Sequence, residues 1–477
     1  MAVDYDLVII GKSPAGIAAA RQAAQWQARV ALVEQPSASP DWTHLQVLQE
    51  AGRLLAQAKR AAAFGLTGLT EAPLGEAIAA WLMATRLGLE SLQAVAGLEA
   101  SGVEVIPGNG EFCRKPVPGF TVAGRILRSR AYLLAPGYEL ALPQIQGLQA
   151  TGFLTPQTLG SAIAELQPAT RLVILGTEPF GVELAQTLVR LGMRVTLVVD
   201  TPQILPMADP EIAHLVQSLL EASGVRLLTG MEVVQVRLIE GKKWVQAGNQ
   251  AIEADEIVLA TPLQPALDGL NLEAVQVQGR ADKIVLNHRL QTTNRRIYAC
   301  LSHPAQPQEA ISQAAIAVQN ALFWPRHRWR QEFVPRIVYT EPEMAQVGMR
   351  EAEAIRQYGK DLFILRQPLA NLAIAQTQGN LTGLVKLLVH RNGQILGAHL
   401  VGVQAREWVT TIALAMQQRQ PIQIFSQLAF PDSSFAAGLG QLAMAWQEQK
   451  LRRNPHYQDL IAGLFNVWRS WSQHLKV

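Results

Sequence analysis

The sequence predicts an α/β fold that contains two Rossmann-like dinucleotide-binding domains. A length of 477 residues is enough for about three domains of ordinary size. With 49% hydrophobic and 17% charged residues, the chain is able to bury large cores. The third observation is a unit of strand, glycine turn, helix and strand that occurs twice, near residues 5 and 170.

The first unit begins with an apolar strand, Leu7–Ile10, which leads into a turn with glycine at both ends. A helix over residues 18–28 and a strand over 30–33 follow. Such a turn lets backbone approach a diphosphate at the helix N-terminus, and an acid ending the second strand binds ribose hydroxyls. The alternative is a βαβ crossover without a ligand. The predicted nucleotide contacts are Gly11, Ser13, Pro14, Ala15, Gly16 and Glu34.

The second unit, residues 170–200, has the same order of elements, with Gly176, Gly181 and Asp200 in the three corresponding roles. No arginine or lysine lies between Asp200 and Glu211, where a 2′-phosphate would need one, so NADH is favoured over NADPH. Glu178, however, occupies the middle of the turn, where its carboxylate would repel a diphosphate. Binding of NAD(H) at this second turn therefore stays open.

Charge and cysteine content exclude several classes of protein. The 41 basic and 38 acidic residues give a formal net charge of +3, which provides no case for a nucleic-acid partner. The two cysteines, Cys113 and Cys300, form neither a CxxC pair nor a metal motif, which favours a reduced, cytoplasmic location. No apolar run reaches the ~18–20 residues that cross a bilayer, and the N-terminus is typical of a first strand rather than a signal peptide.

Several further motifs occur in the order found in the pyridine nucleotide-disulfide oxidoreductases, such as dihydrolipoamide dehydrogenase, glutathione reductase and mercuric reductase. The segment YLLAPGYELALPQIQG resembles the family's ATG motif, and ADEIVLATPLQPALDGLNLE resembles its second such motif. The segments VPRIVYTEPEMAQVG and GLVKLLVHRNGQILGAHLVG resemble its dimerisation domain. The resemblance implies FAD as cofactor, a homodimer, and a C-terminal α+β dimerisation domain after the two Rossmann-like domains.

The resemblance implies the first four of five expected parts of the chain, and helical spacing predicts the fifth. These are an FAD-binding domain over 1–150, an NAD(P)-binding-like domain over 151–268 and a return segment over 269–331. A dimerisation domain over 332–449 and an amphipathic helix over 450–477 follow. Beside the flavin, the resemblance assigns Ala135, Gly137 and Ser302, where Ser302 stands at the position of an aspartate that binds the ribityl chain.

The chain departs from the family at every position of its dithiol chemistry. His44 and Gln49 occupy the two positions of the redox-active cysteines, and Arg53 occupies that of a lysine. Phe430 and Phe435 replace the C-terminal histidine and glutamate that move thiol protons in the family. Because dithiol chemistry needs a thiolate and a base, we expect no disulfide reduction by the family mechanism. The resemblance further implies an ion pair between Arg53 and Glu183 beside the flavin.

The last stretch of the sequence goes beyond the family pattern. Leu460, Leu464, Val467 and Trp471 recur at helical spacing, which predicts an amphipathic helix. Three settings stay open for its apolar face: the body of the protein or the dimer mate, a partner protein, or peripheral contact with a membrane.

Two functions follow as hypotheses. In the first, an FAD-dependent oxidoreductase passes electrons from NAD(P)H through flavin to a non-thiol acceptor, such as a quinone-like or other small molecule. In the second, the chain is a non-catalytic scaffold or sensor that keeps the fold and a nucleotide. The catalytic residues are left unassigned.

Overall fold

The computed structural model describes residues 3–35, 42–62, 65–66, 74–92, 96–114, 118–163, 168–280, 283–302, 306–431, 433–453 and 455–474. The chain forms two compact units. The first unit contains Met1–Leu205 and Gln217–Gln331, and the second contains Pro206–Val216 and Glu332–Val477. The chain therefore passes between the units three times, and the five-part division expected from the sequence stays a prediction.

Helices account for much of the described chain. In chain order they are α1 (Pro14–Gln25), α2 (Thr43–Ala61), α3 (Leu74–Leu92), α4 (Ala96–Glu99), α5 (Leu148–Thr151), α6 (Pro156–Ala162), α7 (Pro179–Arg190), α8 (Pro210–Ala222), α9 (Pro307–Leu322), α10 (Glu351–Tyr358), α11 (Ala373–Gln378), α12 (Ala405–Gln417), α13 (Ile424–Gln427), α14 (Ala437–Arg452) and α15 (Pro455–His474).

The strands of the described ranges are short, as is usual for α/β proteins. In chain order they are β1 (Tyr5–Ile10), β2 (Val30–Glu34), β3 (Glu104–Pro107), β4 (Gly110–Cys113), β5 (Gly119–Val122), β6 (Arg125–Leu127), β7 (Ser129–Leu134), β8 (Tyr138–Leu140), β9 (Arg171–Leu175), β10 (Arg194–Val198), β11 (Arg226–Leu228), β12 (Val233–Ile239), β13 (Lys242–Ala247), β14 (Gln250–Ala254), β15 (Glu256–Leu259), β16 (Leu263–Pro265), β17 (Gly279–Arg280), β18 (Lys283–Ile284), β19 (Ile297–Ala299), β20 (Arg336–Val338), β21 (Glu343–Gly348), β22 (Leu362–Pro368), β23 (Leu384–His390) and β24 (Ile395–Gly402).

The first parallel sheet has the order β19-β7-β1-β2-β3. Its apolar strands are buried on both faces, which is what continuous runs such as Leu7–Ile10 predict. On one face α1 packs against α9 through small side chains such as Ala20 and Ala317. On the other face the β4-β5-β6 meander contributes Phe112 and Phe120, whose rings meet edge to face. This sheet places the first glycine turn at its carboxyl edge.

The second parallel sheet has the order β11-β10-β9-β15 and carries the second glycine turn. The antiparallel sheet β12-β13-β14 shares a hydrophobic core with it, to which Val173, Val245 and Ile257 contribute. The two parallel sheets confirm the predicted α/β class with two Rossmann-like folds.

The second compact unit is built on an antiparallel sheet with the order β20-β21-β24-β23-β22. One face packs against α12 and α14 around a core that includes Trp408, Leu439 and Trp446. The alternation of side chains along β23 turns Val385 and Leu387 toward this core. Helices on an antiparallel sheet define the expected C-terminal α+β domain.

A buried ion cluster lies in the second unit, and Lys386 of β23 is its centre. This ammonium group is only 2% exposed, and it lies 2.8 Å from an oxygen of Asp209 and 2.9 Å from one of Glu211. It also forms an ion pair with Glu351, and Arg366 donates to Glu211 at 2.9 Å. The cluster therefore joins segment Pro206–Val216 to the sheet of the second unit.

Candidate functional site

The first glycine turn makes a close approach to the end of the neighbouring strand β7. Gly11 has φ +107°, and a Cβ built on it would lie 2.1 Å from the carbonyl oxygen of Ala135. A Cβ on Gly16 would lie 2.1 Å from the carbonyl oxygen of Gly11. Both positions therefore exclude any side chain, as the sequence pattern requires of a turn that lets backbone reach a diphosphate.

The helix that follows the turn is capped by the side chain of Ser13. Ser13 is the N-cap residue of α1, and its hydroxyl accepts a hydrogen bond from the amide of Gly16 at 3.3 Å. Pro14 occupies the first helical turn, where its missing amide costs nothing, and Ala15 is buried. The start of α1 is therefore suited to an anion such as a diphosphate.

Glu34 ends β2, one strand away from the turn, as the spacing predicts. Its carboxylate forms an ion pair with Lys12, the residue that follows Gly11 in the turn. Our sequence reasoning missed this contact, although a lysine directly after the first glycine was the available signal. The pair places a cation beside the carboxylate that we expect to bind ribose.

Three strand ends bring the remaining predicted flavin contacts to the same edge of the first sheet. Ile10 of β1 and Ala299 of β19 both align with Leu134 of β7. The residues that follow these strands, among them Gly11, Ala135 and Ser302, therefore meet at the carboxyl edge, where ligands of parallel sheets bind. Gly137 follows Ala135, and its carbonyl accepts from the amide of Ala266 at 2.8 Å.

Ser302 is the clearest sign of a ligand at this edge. The residue is 4% exposed, yet among the described residues its Oγ has no hydrogen-bond partner. Leaving a buried hydroxyl without a partner costs about 1–3 kcal/mol, so such atoms are rare in native proteins. A ribityl hydroxyl is a suitable partner, and the residues present therefore fit FAD.

The contacts around the former dithiol positions differ from the expected ones. Gln49 donates to the buried carboxylate of Glu183 at 2.7 Å, joining α2 to α7. The guanidinium of Arg53 donates to Glu50, one turn earlier on the same helix, at 2.8 Å. The expected ion pair between Arg53 and Glu183 stays a prediction beside these contacts. Gln49 therefore faces α7, and Glu50 lies at the i−3 position from Arg53, where side chains of one helix meet.

His44 has a packing role in the same helix. A Cβ built on Gly160 would lie 2.0 Å from Cδ2 of His44, so the imidazole packs directly on the backbone of α6. The glycine at residue 160 is therefore required by the histidine that occupies the first cysteine position.

The two cysteines are not near each other. Cys113 belongs to β4 and is half-buried, with its Sγ 3.6 Å from the carbonyl oxygen of Gly119. Cys300 follows β19 and is buried, and this burial raises the pKa of its thiol well above the ordinary value. A thiol that stays protonated is a poor nucleophile, so Cys300 is not suited to dithiol chemistry.

The second glycine turn keeps the close approach of the first. A Cβ on Gly176, which has φ +132°, would lie 2.0 Å from the carbonyl oxygen of Ala260, and one on Gly181 would lie 2.6 Å from Ala260 Cβ. Asp200 follows β10 by two residues and is exposed. The backbone geometry of a nucleotide turn is therefore retained.

Glu178 changes the electrostatics of this turn. It is the N-cap residue of α7, so its negative charge lies at the positive end of the helix dipole. Its amide donates to the carbonyl of Ala260 at 3.3 Å. Nearby, the ring of Phe180 meets that of Trp42 edge to face, with centroids 5.3 Å apart. The carboxylate thus occupies the electrostatic role that a bound diphosphate has at such a helix.

The two aromatic replacements in the C-terminal unit are packing residues. Phe435 is buried in the core with Trp408, their ring centroids 6.3 Å apart. Phe430 is partly buried against the same core, where its ring faces Gly440 of α14. Neither residue offers the proton-transfer group that the family has there.

Two parallel sheets that each end in a glycine turn, followed by an antiparallel α+β domain, define a class: oxidoreductases with two dinucleotide-binding domains. The sequence matches the pyridine nucleotide-disulphide oxidoreductase family over residues 5–321 and the dimerisation domain of that family over residues 334–442. The chain therefore belongs to this family, and the second match supports a homodimer.

Curated relatives and solved structures agree with that assignment. A mercuric reductase of Staphylococcus aureus is 30% identical over 464 residues, which cover 93% of this chain and 83% of the relative. A dihydrolipoyl dehydrogenase of Thermus scotoductus is 30% identical, with 94% and 98% covered. The fold is similar to that of LpdA from Mycobacterium tuberculosis, with a TM-score of 0.81, 23% identity, and 92% of this chain and 99% of that one covered.

Two further properties concern the described residues as a whole. None of the described helices has the length and hydropathy that crossing a bilayer requires. Within the same ranges, no group of three or more His, Cys, Asp and Glu side chains would hold a metal ion.

Proposed function

We propose that the chain is an FAD-dependent oxidoreductase that passes electrons from a reduced nicotinamide nucleotide to a non-thiol acceptor, such as a quinone or another small molecule. The observation that carries the proposal is Ser302, whose buried Oγ lies without a partner among the described residues at the edge formed by Gly11 and Ala135. Membership of the family supports FAD in general. The electron acceptor is the finer part of the proposal.

The residues that would hold FAD are those of the first turn and its neighbours. Backbone amides at the start of α1 would receive the diphosphate, Glu34 would bind the adenosine ribose, and Ser302 would bind the ribityl chain. When bound, FAD supplies electron transfer by itself, and the protein binds and orients it. The proposed contacts are Gly11, Ser13, Pro14, Ala15, Gly16, Glu34, Ala135, Gly137 and Ser302.

A non-thiol acceptor follows from the side chains where the family has its dithiol. His44 packs on α6, and Gln49 bonds to Glu183, so neither position offers a sulfur atom. Cys300 is buried, and the raised pKa of its thiol disfavours the thiolate. Because neither the two dithiol positions nor Cys300 would pass electrons on, the simplest hypothesis is an acceptor that reacts with the flavin directly.

The nicotinamide nucleotide would bind at the second turn. Gly176 and Gly181 would let the protein backbone approach its diphosphate, and Asp200 would bind its ribose. Glu178 opposes this binding, because its charge lies where the diphosphate would be. We therefore expect weak binding of NADH.

The second candidate, a scaffold or sensor without catalysis, is favoured by the same residue. If Glu178 prevents binding altogether, the flavin has no electron donor at the second turn, and FAD would serve stability alone. Ligand-dependent stability requires only that the folded state bind the ligand.

A single anaerobic experiment separates the two functions. The purified, FAD-loaded protein is titrated with NADH while the flavin absorbance is followed, and then oxidised by a soluble quinone or by lipoamide. If the chain is the proposed oxidoreductase, NADH should bleach the flavin absorbance, which quinone but not lipoamide should restore. A flavin that stays oxidised under excess NADH supports the scaffold, and recovery with lipoamide would contradict a non-thiol acceptor.

A further inference from the structure

Helix α15 exposes a broad apolar face in the second compact unit. Six large apolar side chains of this helix are 46–70% exposed. They lie within one arc of the helix, because their spacing is that of a 3.6-residue turn. Most of this surface is therefore not covered by the described residues of the chain itself. The six are Leu460, Leu464, Phe465, Val467, Trp468 and Trp471.

The opposite face of α15 is polar but close to neutral. Asp459 and Arg469 are its charged residues within the described side chains, and they balance each other. The cations that precede the helix are engaged in their own domain: Arg453 donates to the carbonyl of Leu362 at 3.0 Å, and Lys450 lies over the ring of Trp446. Helices that bind anionic bilayers carry several cations on the polar face, which α15 lacks.

We propose that the apolar face of α15 packs on a second copy of this chain and extends the homodimer interface. The match to the family's dimerisation domain ends at residue 442, inside α14, and α15 directly follows α14 in the chain. The dimerisation domain thus brings a second copy to the unit that contains α15. The helix directly follows, in sequence, the domain whose family match supports a homodimer.

The size of the exposed surface fits this occupant. An aromatic side chain presents ~150–250 Å² when fully exposed, and an aliphatic one somewhat less. At the exposures given above, the three aromatic and three aliphatic side chains together offer on the order of 700 Å². A stable protein interface buries about 800 Å² on each partner. The face of α15 therefore offers an area close to that of a complete protein interface. This inference does not depend on the proposed electron transfer.

The test uses the full-length, FAD-loaded protein and its dimer dissociation constant. Leu464→Glu with Trp468→Glu places two charges on the apolar face, whereas Asn466→Glu with Ser470→Glu places the same two charges on the polar face. We expect the first pair to raise the dissociation constant by about 100-fold or more and the second by less than about threefold. Sedimentation over a wide range of protein concentration gives both values, and flavin content checks that each variant is folded.

The unmodified chain provides a second measurement. Amide hydrogen exchange of residues 458–471 should slow at concentrations where the dimer forms and quicken on dilution. Equal dissociation constants for all variants, or exchange in α15 that is independent of concentration, would overturn the proposal. Flotation of the wild-type protein with phosphatidylcholine vesicles, lost in the first pair while its dissociation constant is unchanged, would assign the face to a lipid surface instead.

Discussion

Replacement of Ser302 by alanine should have opposite effects on the free protein and on its complex with FAD. The hydroxyl is buried, and it has no partner among the described residues. Removing it from the FAD-free protein removes a buried polar atom that has no partner, so the free energy of unfolding should rise by about 1–3 kcal/mol. If Oγ bonds to the ribityl chain of FAD, the variant loses this hydrogen bond in the complex. The binding free energy then weakens by the same amount, and the dissociation constant for FAD should rise by about 5- to 150-fold.

Ser129 offers a matched control on the neighbouring strand. It is equally buried at 4% exposure, but its Oγ donates to the carbonyl of Ala131 at 2.7 Å and lies 3.2 Å from that of Tyr5. Ser129→Ala should therefore lower the free energy of unfolding by about 1 kcal/mol and leave the affinity for FAD unchanged.

Two measurements check the pair of variants. Quenching of flavin fluorescence gives the dissociation constant, and urea unfolding of FAD-free protein at one fixed concentration gives the change in stability. The reasoning is refuted if Ser302→Ala binds FAD as tightly as the wild type, or if it destabilises the FAD-free protein as Ser129→Ala does. The first result would mean that Oγ does not bond to FAD, and the second that it bonds within the protein.

Three further predictions concern charge. Lys386→Met should destabilise the protein by about 3–5 kcal/mol in urea unfolding, because it leaves buried carboxylates without their cation, while Lys360→Met on the surface should cost little. Glu178→Gly should tighten binding of NADH at least about tenfold in equilibrium titration, because it removes the carboxylate that repels the diphosphate. Unchanged affinity would show that this carboxylate does not block the turn. Hydrogen bonds from Arg366, then Lys386, hold the pKa of Glu211 at about 2. The contribution of the Glu211 carboxylate to the stability of the folded protein should be complete above the unfolded pKa of about 4.3 and should disappear as pH falls toward 2. Glu211→Gln should therefore flatten this part of the profile of urea midpoint against pH.

Local patterns predicted the parts of the fold that depend on neighbouring residues in the chain. The first strand, the glycine turn and Glu34 follow one another within thirty positions, and glycine is the only residue that fits the close approach at Gly11. The C-terminal helix was likewise predicted from a local spacing, and a helix spans Pro455–His474.

Partners chosen by three-dimensional packing were not predictable in the same way. The hydrogen bond from Gln49 to Glu183 depends on the orientation of α2 against α7, which the sequence pattern did not indicate. The contact between Lys12 and Glu34 depends on where β2 ends relative to the turn. The roles of the proposed site residues in binding FAD and NADH stay predictions that the experiments above address.

The buried cluster around Lys386 has a consequence for cutting the chain. Two of its counter-charges, Asp209 and Glu211, come from a segment more than a hundred positions upstream of the rest of the unit. In a fragment that starts at Glu332, the buried ammonium group of Lys386 would keep only Glu351 of its three carboxylate partners. We therefore expect this fragment to aggregate on expression. Adding a synthetic peptide that spans residues 206–216 should rescue its solubility, because the second unit needs the carboxylates of this upstream segment to fold by itself.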